Sequence, residues 1–313
     1  MTAEGHAFNQ AVKGSPETLQ ATWYLNGSVS DPGVTTIGIV NAYGTTILAA
    51  GTATTTPSTG VREYALTAAL NANVDLLTVT WTTANFGTLT QIVEVVGRHL
   101  FTIVEARAYR PIGAGSTGTM ADQTAYTQAA IERERARILD EWDRQILGYS
   151  LVPRYELVTL DGCEAWDRGR RLPLLRSDGT PAQRVRSLRS IETREPGAST
   201  WTAMSASDLA LVVVTPDGDL FLEAGDYWVA ANQNVRVGYE HGLTTPPGEA
   251  KGAALTLLAF LLVPTNLSSR ELQQNTQFGT INLATAGRYG DWYGIPSVDS
   301  VLDRLCRRVP VAG

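Results

Sequence analysis

Between Thr22 and Arg107 the chain is rich in threonine and valine and nearly free of charge. Its apolar residues alternate with polar ones over the short runs TWYLNG, TTIGIV, TILAAGTA, VREYALTA, LLTVTWTT and TQIVEVVG, which turns containing Gly, Asn, Asp or Pro separate. Successive side chains of a strand point to opposite faces, so a period of two buries one face and exposes the other. About seven strands in roughly 90 residues predict a small antiparallel β-sandwich over residues 20–108. That stretch holds no cysteine, so no disulfide ties its sheets together. Trp23 and Trp81 are expected in its core, because aromatic side chains dominate sandwich packing.

Residues 1–19 are polar, carry Gly and Pro, and are expected to form a flexible arm. On the other side of the sandwich, residues 109–121, YRPIGAGSTGTMA, form a Gly/Ser/Thr linker. Gly113, Gly115 and Gly118 match the spacing of a dinucleotide-binding loop. Three features count against that chemistry. Pro111 sits where a strand should feed the turn, no second strand ending in Asp or Glu follows, and the flanking strands alternate as an antiparallel sheet does.

From Asp122 to Gly148 a long helix is expected. Asp122 or Thr124 caps its first turn, and Gly148 ends it in the left-handed conformation. Ile131, Ile138, Leu139, Trp142 and Ile146 recur at helical spacing as one apolar stripe. Arg133, Arg137, Asp140 and Arg144 lie among mixed charges around it, a pattern that suits a solvated or subunit-facing surface, and Asp140 is an i,i+4 partner of Arg144.

Beyond the helix, eight arginines lie between Arg168 and Arg194. They present either a basic face for phosphates or an acidic partner, or solvated strand edges diluted by Asp178, Glu192 and Glu195. Pro216-Asp217-Gly218 predicts a hairpin turn, since proline presets one central position and glycine tolerates positive φ at another. VRVGYEHG closes the small sheet. Gly248–Val263 is apolar nearly all round and should be the most buried helix. Residues 265–294 are polar and have little to bury. A short helix then carries Val298, Val301, Leu302 and Leu305 on one face. The fold class expected is α+β, an all-β sandwich followed by a helical domain, residues 122–313, with a small antiparallel β-sheet.

The chemistry is sparse. Cys163 and Cys306 lie far apart and read as unpaired thiols, and His6, His99 and His241 are at no ligand spacing, so no metal site is expected. The chain has no Walker loop, no H-E-x-x-H, no G-x-S-x-G and no paired cysteines. Glu240-His241 reads as a structural pair at a strand end, and Asp161, Glu164 and Asp167 as loop carboxylates without a partner motif. No catalytic residue and no cofactor is expected. The N-terminal sequence lacks the pattern of a secretion signal, and the longest apolar run, Ala253 to Val263, is too short to span a membrane. A net charge of −6 argues against a dedicated nucleic-acid coat.

Several segments in order carry a resemblance. They are ILGYSLVPR, VTLDG before LPLL, RSL, WVAANQNVRVGYEHG, PGEAKGAALTLLA and YGIPSVDSVLDRL. In this order and spacing, residues 123–306 resemble the head–tail connector (adaptor) proteins of tailed double-stranded DNA phages. The N-terminal domain lies outside that pattern and is similar to immunoglobulin-like decorations of phage structural proteins.

The resemblance implies a non-enzymatic virion neck protein, made in the host cytoplasm, that forms a homo-oligomeric, dodecameric ring between the capsid portal and the tail. Its partners would be itself, the portal protein, the next neck or tail-completion protein and, without sequence preference, the double-stranded DNA in transit. It implies portal docking through Ile295, Val298, Val301, Leu302 and Leu305, and a subunit or channel helix presenting Arg133, Arg137, Asp140 and Arg144. The alternative is a module whose sandwich binds glycan or another cell-surface polymer.

Overall fold

The computed structural model describes residues 2–4, 10–109, 127–146, 149–222, 228–262, 273–276, 279–282 and 293–306. Strands make up 39% of the chain and helices 23%. The expected helical connector domain after an immunoglobulin-like domain is therefore corrected: the chain is predominantly β. It divides into two compact units, Met1–Arg98 with Gly148–Thr244, and His99–Leu147 with Thr245–Gly313. The physical reason is that the strands beyond residue 148 bury a core of their own and group with the sandwich, where the sequence suggested a small sheet attached to helices. Apart from Tyr109, the expected linker with Gly113, Gly115 and Gly118 lies outside the described residues, as do Asp122, Thr124 and Gly148.

The first unit opens with ten strands: β1 (Thr2–Glu4), β2 (Gln10–Val12), β3 (Glu17–Leu25), β4 (Ser28–Val29), β5 (Thr35–Val40), β6 (Thr46–Ala53), β7 (Thr55–Ser58), β8 (Val61–Leu66), β9 (Asp75–Thr83) and β10 (Gly87–Val96). One sheet runs β1-β3-β8-β7, with β4 also on β3, and the other runs β2-β10-β9-β5-β6. These are the A-B-E-D and G-F-C-C′ orders of immunoglobulin-type sandwiches. Alternation decides which side chains go in. Leu19, Ala21 and Trp23 of β3 face Ile37 and Ile39 of β5 and Leu77, Val79 and Trp81 of β9 in one core. Trp23 and Trp81 meet edge to face, centroids 6.3 Å apart at 78°. Burying each large apolar side chain stabilises by about 1.5–3 kcal/mol.

The segment expected to be an arm supplies two of these strands. β1 pairs antiparallel with β3, and β2 pairs parallel with β10. Both are too short for alternation to announce them. Between β7 and β8 the chain turns at Gly60, where φ is +75° and a Cβ would lie 2.3 Å from Val29 Cγ1. Only glycine fits there.

Two helices follow, α1 (Ile103–Ala108) and α2 (Gln128–Gln145), which belong to the second unit. The chain then returns to the first unit with β11 (Arg154–Leu160), β12 (Arg171–Pro173), β13 (Val185–Thr193), β14 (Thr202–Ala203), the one-turn α3 (Ala206–Leu209), β15 (Val212–Val214), β16 (Asp219–Leu222) and β17 (Val235–His241). They build the sheets β11-β17-β13-β14 and β12-β16-β15. The two sheets share a core of Val158, Leu160, Leu172, Ile191, Leu220, Val235, Val237 and Tyr239. The Pro216-Asp217-Gly218 turn joins β15 to β16 as expected, with Gly218 N donating to Thr215 O at 3.0 Å.

This second β module is fastened to the sandwich. Gly97 N donates to Pro153 O at 2.7 Å, and Arg154 Nε donates to Glu94 Oε1 at 2.6 Å. The Tyr43 hydroxyl meets Ser190 Oγ, and its ring lies 6.3 Å from that of Tyr155. Gly238 makes room for this contact: a Cβ there would lie 1.6 Å from Tyr43 Oη and 2.4 Å from Tyr155 Oη.

The second unit consists of α1, α2, α4 (Gly248–Leu262), the hairpin β18 (Gln273–Thr276) and β19 (Gly279–Asn282), and α5 (Pro296–Cys306). Thr102 and Glu105 form a capping box on α1, and Thr127 caps α2. The stripe of α2, with Ile131, Ile138, Leu139 and Trp142, is fully buried. α4 buries Ala250, Ala253, Ala254, Leu255, Leu257, Leu258 and Ala259, which fits its all-round apolar sequence. Polar contacts add registration. Tyr109 Oη and Thr256 Oγ1 lie 2.6 Å apart, Arg304 Nη2 donates to Glu249 Oε2 at 2.9 Å, and Lys251 pairs with Glu105. Most of the polar 265–294 segment lies outside the described residues.

Candidate interaction site

The residues singled out on α5 do not form a free docking face. Val298 and Leu302 are 0% exposed, Val301 7% and Leu305 3%, and Ile295 is half-buried. Their i, i+3, i+4, i+7 spacing is spent on the helical core instead. An amphipathic stripe looks the same in sequence whether its cover is the same chain or another. The Asp299 carboxylate, also buried, accepts from Tyr293 N at 2.9 Å and holds the start of the helix.

On α2, Arg133, Arg137 and Arg144 are exposed and Asp140 is half-buried. Arg137 Nε lies 2.8 Å from Glu134 and its Nη1 3.4 Å from Glu141, while Arg133 Nε lies 3.2 Å from Glu134. This charged surface is built at helical spacing, and each such exposed pair contributes at most about 0.5 kcal/mol.

The arginines between Arg168 and Arg194 are mostly engaged. Arg170 donates to Leu222 O at 3.1 Å and lies 4.7 Å over the Phe221 ring. Arg176 is buried between Glu156 (3.5 Å) and Asp178 (3.8 Å). Arg184 lies 5.5 Å over Tyr149, Arg189 pairs with Glu240, and Arg194 lies 4.8 Å over Trp201 and donates to Gln233 O at 2.9 Å. Arg168 and Arg186 are exposed. The segment is therefore a set of stacked and paired guanidiniums, not a continuous basic face.

Arg171 differs from the others. On the outer side of sheet β12-β16-β15, Val213, Phe221 and Arg171 are register partners, and Trp166 bridges to Arg171. The Arg171 guanidinium lies 5.0 Å over Trp166 and 5.3 Å over Phe221. Trp166 is 50% exposed and Val213 41%. This row of aromatic, cationic and apolar side chains was not apparent from the sequence. Its signal was Trp166 and an arginine cluster followed by a strand reading Leu-Phe-Leu, but only the pairing of β12 with β16 brings them together.

Two polar clusters lie inside the first unit. Tyr239 Oη donates to Glu156 Oε2 at 2.6 Å, and the fully buried His241 has Nε2 3.7 Å from Glu156 Oε1. Burial, then the Glu156 charge, pushes the Tyr239 hydroxyl above its ordinary range. At the junction with the sandwich, burial raises Asp75 and also Tyr155, whose bond to Tyr43 adds to the effect. Both tyrosines stay neutral, and Tyr239 acts as a hydrogen-bonding post within well-packed surroundings. Glu240-His241 is thus structural, with Glu240 held by Arg189. Asp161 accepts from Gln233 N, which ties one loop to another. Among the described residues no group of three or more His, Cys, Asp or Glu is placed to hold a metal ion, and no helix is long and apolar enough to cross a membrane.

No protein-family model matches the chain, and no curated protein matches it significantly.

Proposed function

We propose that the chain is a structural neck protein of a tailed phage, a ring adaptor that joins the capsid portal to the tail and lets DNA pass. The observation that carries this reading is where the resembling segments lie. ILGYSLVPR begins at the end of α2, PGEAKGAALTLLA forms most of α4 and YGIPSVDSVLDRL leads into and forms most of α5. These helices, distant in sequence, belong to one compact unit, with the second β module inserted between α2 and α4. The other segments lie in the first unit, VTLDG at the end of β11, LPLL from β12, RSL in β13 and WVAANQNVRVGYEHG leading into β17, so the resemblance runs in chain order through α2, the second β module, α4 and α5.

Two further features suit the role. The exposed, mixed-charge side of α2, with Arg133, Arg137, Asp140 and Arg144, fits a neighbouring subunit or a channel wall. A net charge of −6 suits a wall past which DNA slides without adhering. Portal contact falls to surfaces other than the buried stripe of α5. The test is co-expression with the portal protein of the same phage, followed by size-exclusion chromatography. Co-elution in a complex larger than the portal alone is expected; separate elution at every salt concentration contradicts the reading.

A further inference from the structure

The outer face of sheet β12-β16-β15 combines three properties that together define a partner. First, it is apolar and open. Trp166 and Val213 are exposed there, and Leu211, just before β15, is 49% exposed. Second, tryptophan and arginine are the residue types that carry most of the energy at protein interfaces. Third, the Arg171 guanidinium still has hydrogen bonds to give. Its nearest carboxylates, Asp167 at 3.7 Å and Asp219 at 4.0 Å, lie beyond hydrogen-bond distance. The Arg171 Nε is buried, so the terminal Nη groups are the ones that can donate to an incoming carboxylate. Asp167 and Asp219 repel a polyanion such as DNA, whereas a single carboxylate between apolar side chains meets both the guanidinium and the rings.

The same chain carries such a group. In the sandwich, just after β4, Asp31 has its side chain 64% exposed, between Val29 (49% exposed) and Val34 (78%). Arg62 Nη2, at 2.5 Å, and Gly33 N, at 3.0 Å, both donate to Asp31 Oδ1. Oδ2 remains for a partner, and the carboxylate is held in place before any partner arrives. The preorganised anion needs no further ordering on contact.

We propose that the 29–34 segment of one copy seats on the Trp166–Arg171–Phe221–Val213 row of a second copy. Asp31 Oδ2 accepts from the Arg171 guanidinium, and Val34 packs against Trp166 and Val213. Because the two surfaces are different patches of one chain, the contact is heterologous, and it generates a ring when its rotation closes. The proposal deepens the ring-adaptor reading and rests on it.

The test is sedimentation velocity of the full chain over a concentration series, with Val34→Asp, Val213→Asp and an equimolar mixture of the two. Both positions are exposed, so each variant should melt as the wild type does. Wild-type chain is expected to assemble, and each variant alone to sediment as a monomer. The mixture should stop at dimers, because one variant keeps an intact row and the other an intact 29–34 segment. Variants that assemble as the wild type does overturn this interface and leave the ring reading standing. A wild-type chain that stays monomeric, alone and in the presence of portal, overturns both.

Discussion

Helix α5 and the outer face of sheet β12-β16-β15 both set apolar residues beside arginines, yet they use them in opposite ways. On α5 the apolar stripe is buried, and Arg304 reaches across to Glu249 on α4. On the sheet the apolar residues stay exposed, and Arg171 lies stacked between rings, with Asp167 at 3.7 Å and Asp219 at 4.0 Å. The difference lies in what covers each surface. A helix with one apolar face folds against its own neighbours if they are near, and α4 is near. A three-stranded sheet has two faces, and the shared core occupies one of them. The second face must be solvated or given to a partner, and Trp166 and Val213 stand exposed on it.

The sharpest way to break this comparison is to place a charge in both. Leu302→Asp buries an unpaired carboxylate in the helical core and should abolish the cooperative unfolding of that unit, read by circular dichroism. Val213→Asp should shift stability by no more than about 0.5 kcal/mol. Equal effects would mean that both surfaces are covered, or neither. Next in size, Trp142→Ala in the buried stripe of α2 should cost about 3–5 kcal/mol in chemical denaturation. A smaller loss, about 1–3 kcal/mol, is expected from Gly238→Ala, whose Cβ would push into Tyr43 and Tyr155. Adding Tyr43→Phe to that variant should recover part of the loss, since the hydroxyl is the nearest obstacle; no recovery would place the strain elsewhere.

Burial, and then the charge of Arg135, pushes His99 down to about 3. The unfolded chain takes up the proton near the ordinary histidine value of about 6.5, before the folded chain does. Stability from neutral His99 is therefore fully present above that value and is lost as pH falls from about 6.5 toward 3. Thermal melts at about pH 7 and about pH 5 should show the drop, and His99→Gln should reduce it. A drop of unchanged size in the variant would assign it to carboxylates.

Much of the sandwich was legible because a half-buried antiparallel strand writes its burial into the sequence. Ile37 and Ile39, Leu77, Val79 and Trp81 face inward at every second position. Residues 2–4 and 10–12 were not legible as strands, since three residues cannot show a period and their pairing with β3 and β10 is a tertiary event. The helical stripes of α2 and α5 were legible as stripes. Their cover was not, because spacing records that a face is apolar and says nothing of which chain buries it. The arginines show the same limit: charge can be counted in sequence, but the rings over which Arg170, Arg171, Arg184 and Arg194 stack come from strands and loops elsewhere. The grouping of the later strands was not legible for a related reason. Residues 149–244 contain enough alternating strands for a core of their own, and only the contacts of Tyr43, Glu94 and Gly97 reveal that this core belongs beside the sandwich.

The proposed ring on the portal has a direct readout. Negative-stain imaging of the purified portal, with and without this chain, tests it most directly. The account predicts an added layer with a central hole at one end of the portal. Portal particles of unchanged outline, with this chain free in the background, would contradict it.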